Sequence, residues 1–281
     1  MLSNHIHFSR IVAGCSLVAA AAMALTSCDD VKEDDRLIKI ERPVVARKVL
    51  VQEFTGINCV NCPTGAATIH DLQELYPGSI IAVGLHPGGT GFSGPIGTFN
   101  LNNELATTYF NYFNPAGFPA AVIDGQAPIT NITAWNGSIM SQISKPAAGE
   151  IELTPTYDAD TRTVTVDYEV SLNSVFTSTL NINIWVVENG IRGPQKSGNT
   201  IIPTYEHNHV LRGSLTGDWG IALNSTFLPD EVYTGTVSLT LDNAWVAENC
   251  QLVAFLQSDS KEVHQAMETS LIHDSESETE D

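Results

Sequence analysis

Basic residues are scarce in this 281-residue sequence. Thirteen Lys and Arg stand against 32 Asp and Glu, which gives a formal net charge of −19. Nucleic-acid backbones are bound by clustered positive charge, so this balance argues against nucleic acid as a partner. Cysteine is also scarce, with five in all. The single C-x-x-C has no second cysteine pair or Cys/His pair at ligand spacing, so we expect no metal and no other cofactor.

Long apolar runs are absent except at the N-terminus, where "IVAGCSLVAAAAMAL" covers residues 11–25. Fifteen residues are short for a membrane-spanning helix and suit the apolar core of a signal peptide. The next residues, "LTSC", resemble a bacterial lipobox that ends at Cys28. The sequence therefore predicts a lipoprotein signal peptide over residues 1–27 and a membrane anchor through lipid on Cys28. An ordinary signal peptide followed by a chance cysteine is the alternative.

An acidic run, "DDVKEDD", follows Cys28 directly. Such a run is too polar to fold, and it predicts a lipidated acidic tether over residues 28–45. It also resembles the surface-export signal that follows the lipidated cysteine in Bacteroidetes lipoproteins. We therefore expect an outer-membrane location. The run is either a plain solvated tether or an export signal, so it remains open which leaflet holds the anchor and whether the protein is exposed at the cell surface.

The rest of the chain divides by pattern into two domains. Residues 46–147 alternate between buried strands such as "KVLVQEF" and amphipathic helices such as "CPTGAATIHDLQELY", which predicts an α/β domain. Residues 148–272 are rich in Thr and Val and alternate with period two, which predicts an immunoglobulin-like β-sandwich of about seven strands. Residues 273–281, "HDSESETED", are predicted to form a disordered acidic tail.

The C-x-x-C segment "FTGINCVNCPTG" resembles the active-site region of the thioredoxin-like fold. That resemblance implies that Cys59 and Cys62 are the redox pair, that Glu53 is the buried acid relaying a proton to the second cysteine, and that Pro119 of "GFP" is a cis-proline beside them. Independently, Cys59 falls just ahead of a helix start, where the helix dipole favours a thiolate. Cys62, one turn further on, is expected to lie deeper.

Several readings of these residues remain open. Outside the cytoplasm a Cys59–Cys62 disulfide can be structural and inert, and Val60–Asn61 replaces the usual Gly-Pro between the cysteines of thioredoxins. His86, at the end of the second strand, is either a proton relay near Cys59 or a loop-capping residue. His207 and His209 are expected on one strand face, as a weak metal pair or as hydrogen-bonded histidines.

The combination of lipobox, "TGINCVNCP", "GFP" and "EHNHVLRG" resembles the outer membrane protein 28 family of Bacteroidetes lipoproteins. The resemblance implies an outer-membrane address and no particular reaction. Two functions follow as hypotheses. The first is a lipid-anchored module for surface binding, adhesion or assembly with envelope or surface proteins. The second is an envelope thiol–disulfide oxidoreductase that uses the Cys59–Cys62 pair, with Glu53, Pro119 and His86 in support.

Overall fold

The computed structural model describes residues 45–173, 175–176, 178–224 and 231–272. The predicted signal peptide, Cys28 and the predicted acidic tail lie outside these ranges. The helices and strands follow in chain order: β1 (Val49–Phe54), α1 (Cys62–Leu75), β2 (Ile80–Leu85), α2 (Glu104–Phe113), β3 (Ala120–Ile123), α3 (Trp135–Ile143), β4 (Gly149–Asp158), β5 (Thr163–Leu172), β6 (Leu180–Glu188), β7 (Ile191–Ser197), β8 (Thr200–His207), β9 (Val210–Ser214), β10 (Ile221–Asn224), β11 (Val232–Thr240), β12 (Cys250–Ser258) and β13 (Val263–Ser270).

Local sequence explains where the first elements begin and end. Helix α1 starts at Cys62 with Pro63 in its first turn, where a missing N–H costs nothing. Helix α2 starts at Glu104, because the side chain of Asn103 accepts a hydrogen bond from the Ala106 amide and caps the helix. Strands β1 and β2 are buried along their whole length, as expected for strands covered on both faces.

The main sheet is mixed, and it contains strands from both predicted domains. Its order is β13-β12-β6-β9-β2-β1-β3, with β10 paired to β6. Strand β1 runs parallel to β2 and antiparallel to β3. The early and late strands meet where Gly84 of β2 pairs in parallel with Val210 of β9. Strands β11, β5 and β4 form a second, antiparallel sheet, and β7 and β8 form a separate hairpin.

Each face of the main sheet carries its own hydrophobic core. On one face, helix α2 packs across β1, β2, β6 and β12, with Tyr109 and Trp185 among the fully buried side chains. On the other face, α1 and α3 cover β1–β3, and the three-stranded sheet covers β6 and β12. Burial of these apolar faces is the main source of stability for such layers.

The predicted boundary between residues 147 and 148 falls within one unit that extends from Val45. Hydrogen bonds join the two sides: Gln265 of β13 accepts from the Lys48 amide and donates to the Ala46 carbonyl. After residue 148 the described chain forms ten strands, more than the seven expected. Residues 191–224, a stretch with two prolines and little alternation, form four strands, β7 to β10, where the sequence predicts only the one strand that carries His207 and His209.

Candidate functional site

Cys59 and Cys62 form a disulfide at the start of helix α1, with their Cα atoms 5.4 Å apart. Cys59 lies in the turn that leads into the helix, and Cys62 is its first residue. Each residue is only 2% exposed to solvent. The expectation that Cys62 lies deeper than Cys59 is therefore wrong, because the two are equally covered.

Part of the cover comes from the β7–β8 hairpin, which the late part of the chain contributes. The amide of Lys196 donates to the Ile57 carbonyl at 2.8 Å, and the amide of Gly198 donates to the Val60 carbonyl at 3.3 Å. Both acceptors belong to the loop that carries the cysteines. The hairpin is thus bonded to the disulfide loop through its backbone.

Gln195 adds the side-chain contact between hairpin and loop. Its amide nitrogen Nε2 donates to the carbonyl of Cys59 at 3.0 Å and lies 3.3 Å from the carbonyl of Gly56. The side chain also donates to the Lys196 carbonyl and is almost fully buried. Nothing in the local sequence "RGPQKSG" marks Gln195, so sequence reasoning missed it.

The glycine-rich loop after β2 closes the other side of the disulfide loop. Asn58 donates from its backbone amide to the Phe92 carbonyl at 2.8 Å and from Nδ2 to the Gly94 carbonyl at 2.6 Å. The approach at Gly56 is so close that a Cβ there would overlap the Phe92 carbonyl. The disulfide loop is therefore held between two segments, one early and one late in the sequence.

Glu53, Pro119 and helix α1 meet directly behind the disulfide. The Phe118–Pro119 peptide bond is cis. A Cβ on Gly65 of α1 would overlap Oε1 of Glu53 and lie 2.9 Å from Cβ of Pro119, so only glycine fits at this crossing. Glu53 is 5% exposed, and its Oε1 makes no hydrogen bond to the protein. Burial without a charged partner raises the pKa of its carboxyl to about 8, so the group is protonated at neutral pH.

A cavity of about 330 Å³ opens beside Glu53, between α1, β2 and the β7–β8 hairpin. Its size is at the lower end of ligand-binding pockets. Helix α1 supplies a mostly apolar wall, and the hairpin supplies a polar one. The residues that line the cavity include Glu53, Cys62, Ala66, Ile69, His86, Gln195, Tyr205, His207 and His209.

Four histidines line this cavity: His70, His86, His207 and His209. His86, directly after β2, shares it with Cys62 rather than with Cys59, and its ring lies 6.2 Å from that of His207. Burial, with the positive charge of a protonated His207 as a second cause, lowers the pKa of His86 to about 3. Burial also lowers the pKa of His207 to about 4. Both rings are therefore neutral at physiological pH.

His207 and His209 do not share a strand face, contrary to the sequence expectation. His207 ends β8, whereas His209 lies in the turn before β9 with a positive φ of 56°. Among the described ranges no group of three or more His, Cys, Asp or Glu side chains is arranged to hold a metal ion. The remaining described thiol, Cys250, is buried, and burial raises its pKa to about 12. It is unsuited to nucleophilic chemistry.

Within the part of the chain that the structure describes, no helix is long and apolar enough to cross a bilayer.

Fold and site together define a mostly β protein with a mixed central sheet, whose C-x-x-C disulfide is buried under a hairpin and backed by a protonated acid. The sequence model of the outer membrane protein Omp28 family matches residues 106–274, more than half of the chain. The protein therefore belongs to the Omp28 family, and its location is the outer membrane. The matched region includes Pro119, Gln195 and His207, and it begins after Glu53 and the two cysteines.

Solved structures add similarity of fold. The chain is similar to HBP35 of Porphyromonas gingivalis, with a TM-score of 0.65 over 82% of this chain and 77% of that one, at 18% sequence identity. It also matches a protein from Agrobacterium tumefaciens at 12% identity, over 82% of this chain and 97% of that one, but the TM-score of 0.49 does not establish a shared fold. No curated protein matches the sequence significantly.

Proposed function

We propose that the protein is an outer-membrane binding module, anchored by lipid on Cys28, for adhesion to or assembly with envelope or surface proteins. The observation that carries this proposal is the covered disulfide. An exchange enzyme presents its attacking sulfur to the client, whereas here both cysteines are 2% exposed and their loop is hydrogen bonded to the hairpin. The disulfide in this state fastens the start of α1 and leaves the rest of the surface for binding.

We propose a thioredoxin-like scaffold for residues 46–147. Three observations support it: the parallel β1–α1–β2 unit with an antiparallel β3 beside β1, the C-x-x-C disulfide at the start of α1, and the cis peptide bond before Pro119 that contacts Gly65. In this scaffold the sheet shared with β9 extends the unit beyond its usual strands.

We propose that residues 148–272 form an immunoglobulin-like sandwich that presents a protein-binding surface. The packing of β4, β5 and β11 over β6 and β12 supports the sandwich. The outer face of the three-stranded sheet is exposed and lined by acidic and threonine side chains: Glu150, Glu152, Asp167, Glu169, Thr234 and Thr236. Such a face favours a partner with complementary basic groups, because opposite charges speed encounter and suppress wrong partners.

Thiol–disulfide exchange is the second candidate, and the shared cavity of Glu53 and Cys62 favours it. A client thiolate would attack the sulfur of Cys59, the S–S bond would break, and Cys62 would leave as a thiolate that takes the proton of Glu53. A second client thiol would then release the client as a disulfide and leave two thiols here, so the two electrons come from the client dithiol. The hairpin would have to move first.

Partner capture separates the two candidates. We expect Cys59→Ser/Cys62→Ser, expressed at the outer membrane, to be crosslinked on cells to the same partners as the wild type, because binding uses the surface and not the sulfurs. We expect Cys62→Ser alone to form no mixed disulfide that non-reducing gels detect. Loss of all partners in a folded double variant, or a client trapped by the single variant, would contradict the binding proposal.

Gln195 gives a direct measure of how tightly the disulfide is covered. We expect Gln195→Ala to speed reduction of the native disulfide by dithiothreitol about tenfold or more, because loss of bonds to two buried carbonyls destabilises the closed hairpin by about 1–3 kcal/mol. Thiol appearance after acid quench and alkylation measures the rate. Arg192→Ala in the same hairpin, which removes only an exposed ion pair with Glu206, is the control. Equal rates for all three proteins would show that the hairpin does not protect the disulfide.

A further inference from the structure

The cavity behind the disulfide contains more unsatisfied polar atoms than a closed protein interior tolerates. Buried polar atoms are nearly always hydrogen bonded. Around this one cavity, however, four make no hydrogen bond to the protein: Oε1 of Glu53, Nδ1 of His86, Nε2 of His207 and Nδ1 of His209. All four belong to side chains that are mostly or wholly removed from solvent. A ligand or trapped water is needed to satisfy them.

The orientation of two of these histidines makes their unsatisfied atoms acceptors. The backbone at Gly193 and Pro194 favours a proton on the ring of His207, and the backbone at Gly84 favours one on the ring of His86. A neutral imidazole has one N–H, and the carbonyl oxygens take it. Nε2 of His207 and Nδ1 of His86 are then lone-pair nitrogens. The carboxyl of Glu53 becomes a further acceptor once it loses its proton. A ligand that supplies donors can then satisfy all of these atoms.

The charge of the cavity lining further restricts the class of ligand that can bind. The cavity lining contains the buried Glu53 carboxyl and no Lys or Arg side chain, and the whole chain carries a formal charge of −19. An anionic ligand would be repelled, and a neutral donor would leave the Glu53 carboxyl uncompensated whenever it ionises. A cation with N–H donors satisfies both conditions.

The rest of the cavity wall is mostly apolar, so it suits an apolar group that is attached to that cation. Helix α1 lines the cavity with Pro63, Ala66, Ala67 and Ile69, and β2 contributes Ala82. Tyr205 also lines the cavity, and an aromatic ring can contribute a favourable contact to a cation. Small pockets of this composition bind the apolar part by burial and orient the polar part by a few placed groups.

We propose that the cavity binds a primary ammonium group on a small apolar body, with Glu53 as its counter-ion and the neutral histidines as further acceptors. The inference deepens the proposed binding function by adding a small-molecule site apart from the protein-binding face. It uses the disulfide only as part of the wall.

Proton release gives the proposal a specific signature. Burial raises the pKa of Glu53 to about 8, so an ammonium that binds at pH 7 displaces one proton from the carboxyl. Affinity then rises with pH up to about 8, and at pH 6 it is about 50-fold weaker than at pH 8. Other titratable groups face Glu53 across the cavity and must be controlled for: His70, His86, Tyr205, Glu206, His207 and His209.

The test uses benzylammonium as the probe and benzyl alcohol as its uncharged analogue. Isothermal titration of the folded protein at pH 7, in two buffers of different ionisation enthalpy, yields both affinity and protons released. We expect benzylammonium to bind at least tenfold more tightly than benzyl alcohol and to release about one proton per site. We expect Glu53→Gln, which keeps shape and cannot ionise, to lose at least tenfold in affinity and all proton release. Glu152→Gln, on the exposed outer face of β4 and outside the cavity lining, should retain both.

Equal binding of the two probes, no proton release, or binding unchanged in Glu53→Gln would overturn the proposal. So would absence of benzylammonium binding at millimolar concentration, the outcome expected if water alone fills the cavity. Should Glu53→Gln fail to fold, the probe comparison and the proton count on the wild type still decide. None of these results bears on crosslinking to protein partners, so failure here leaves the binding function to its own test.

Discussion

Replacing Asp124 by asparagine is expected to lower the free energy of unfolding by about 3–5 kcal/mol, the usual cost of removing one partner from a buried ion pair. Asp124 and Arg47 form such a pair at 2.5 Å, with side chains that are 0% and 4% exposed. The same carboxylate accepts from the Leu50 amide at 2.8 Å. Without its charge, the guanidinium of Arg47 is left uncompensated in the interior.

The position of this pair explains why its loss should affect the whole fold. Asp124 directly follows β3, and Arg47 precedes β1. Arg47 also donates to the Val263 carbonyl, and the Val263 amide donates to the Asp124 carbonyl. The cluster thereby joins both ends of the described chain. Asparagine is the suitable replacement because Asp124 has a positive φ of 46°, a conformation that asparagine tolerates.

Two controls make the stability prediction specific. Lys145→Ala removes an exposed ion pair with Glu262 and should cost less than about 1 kcal/mol. Arg47→Met combined with Asp124→Asn removes the orphaned charge and should recover part of the loss. Urea denaturation at pH 7 measures all three. A loss below 1 kcal/mol for Asp124→Asn, or no recovery in the double variant, would mean that the pair does not hold these segments together.

Parts of this structure that depend on neighbouring residues could be predicted from the sequence. Strands β1 and β2 and helix α1 follow from apolar runs, helical spacing and Pro63 in the first turn. The spacing of Cys59 and Cys62 makes the disulfide geometrically accessible, and "GFP" marks a turn into a strand. In each case the signal lies within a few residues of the element.

Features that depend on distant contacts could not be predicted in this way. Gln195 contacts the Cys59 carbonyl across 136 residues of sequence, and the sheet is made continuous by the single pair Gly84–Val210. Hydrophobic periodicity carries no information about such pairings. From the sequence alone we therefore expect Cys62 to lie deeper than Cys59, whereas the structure buries both cysteines equally, and the late strands extend the first sheet.

The candidate site likewise combines features that the local sequence predicts with features that depend on distant contacts. Glu53 was identified through the resemblance to the thioredoxin-like fold, but its missing hydrogen-bond partner and its cavity became visible only in three dimensions. His86 and His207 are 121 positions apart, and their rings lie 6.2 Å from each other. The sequence left His86 as a proton relay or a loop cap, and His207 as part of a weak metal pair or as a hydrogen-bonded histidine, because it does not show that the two rings are neighbours.

The largest effect that we expect from the site itself is a free energy of unfolding that falls as the pH rises. The carboxyl of Glu53 has its pKa raised by burial from 4.5 to about 8. Between these two values the folded protein keeps a proton that the unfolded chain releases, so the free energy of unfolding decreases as pH rises. The loss is about 1.4 kcal/mol per pH unit, or about 4–5 kcal/mol from pH 4.5 to above pH 8.

Glu53→Gln isolates this contribution, because glutamine stays neutral at every pH. Asp124 adds a loss of the same sign at lower pH, since burial raises its pKa to about 6 against the opposing effect of Arg47. The buried histidines act oppositely: their lowered pKa values make stability rise with pH below about 6.5. These effects are common to the wild type and the variant, and they cancel in the difference between the two profiles.

The free energy of unfolding of Glu53→Gln minus that of the wild type is therefore expected to be smallest near pH 5. This difference grows until about pH 8–9, where the variant is the more stable by several kcal/mol. Guanidinium denaturation at half-unit pH steps measures it. Glu152→Gln, on the exposed outer face of β4, is the matched control and should follow the wild type. If the Glu53→Gln and wild-type profiles run parallel from pH 5 to pH 9, the carboxyl is ionised in the folded protein. Glu53 could then neither protonate a leaving Cys62 nor release a proton to an incoming ammonium.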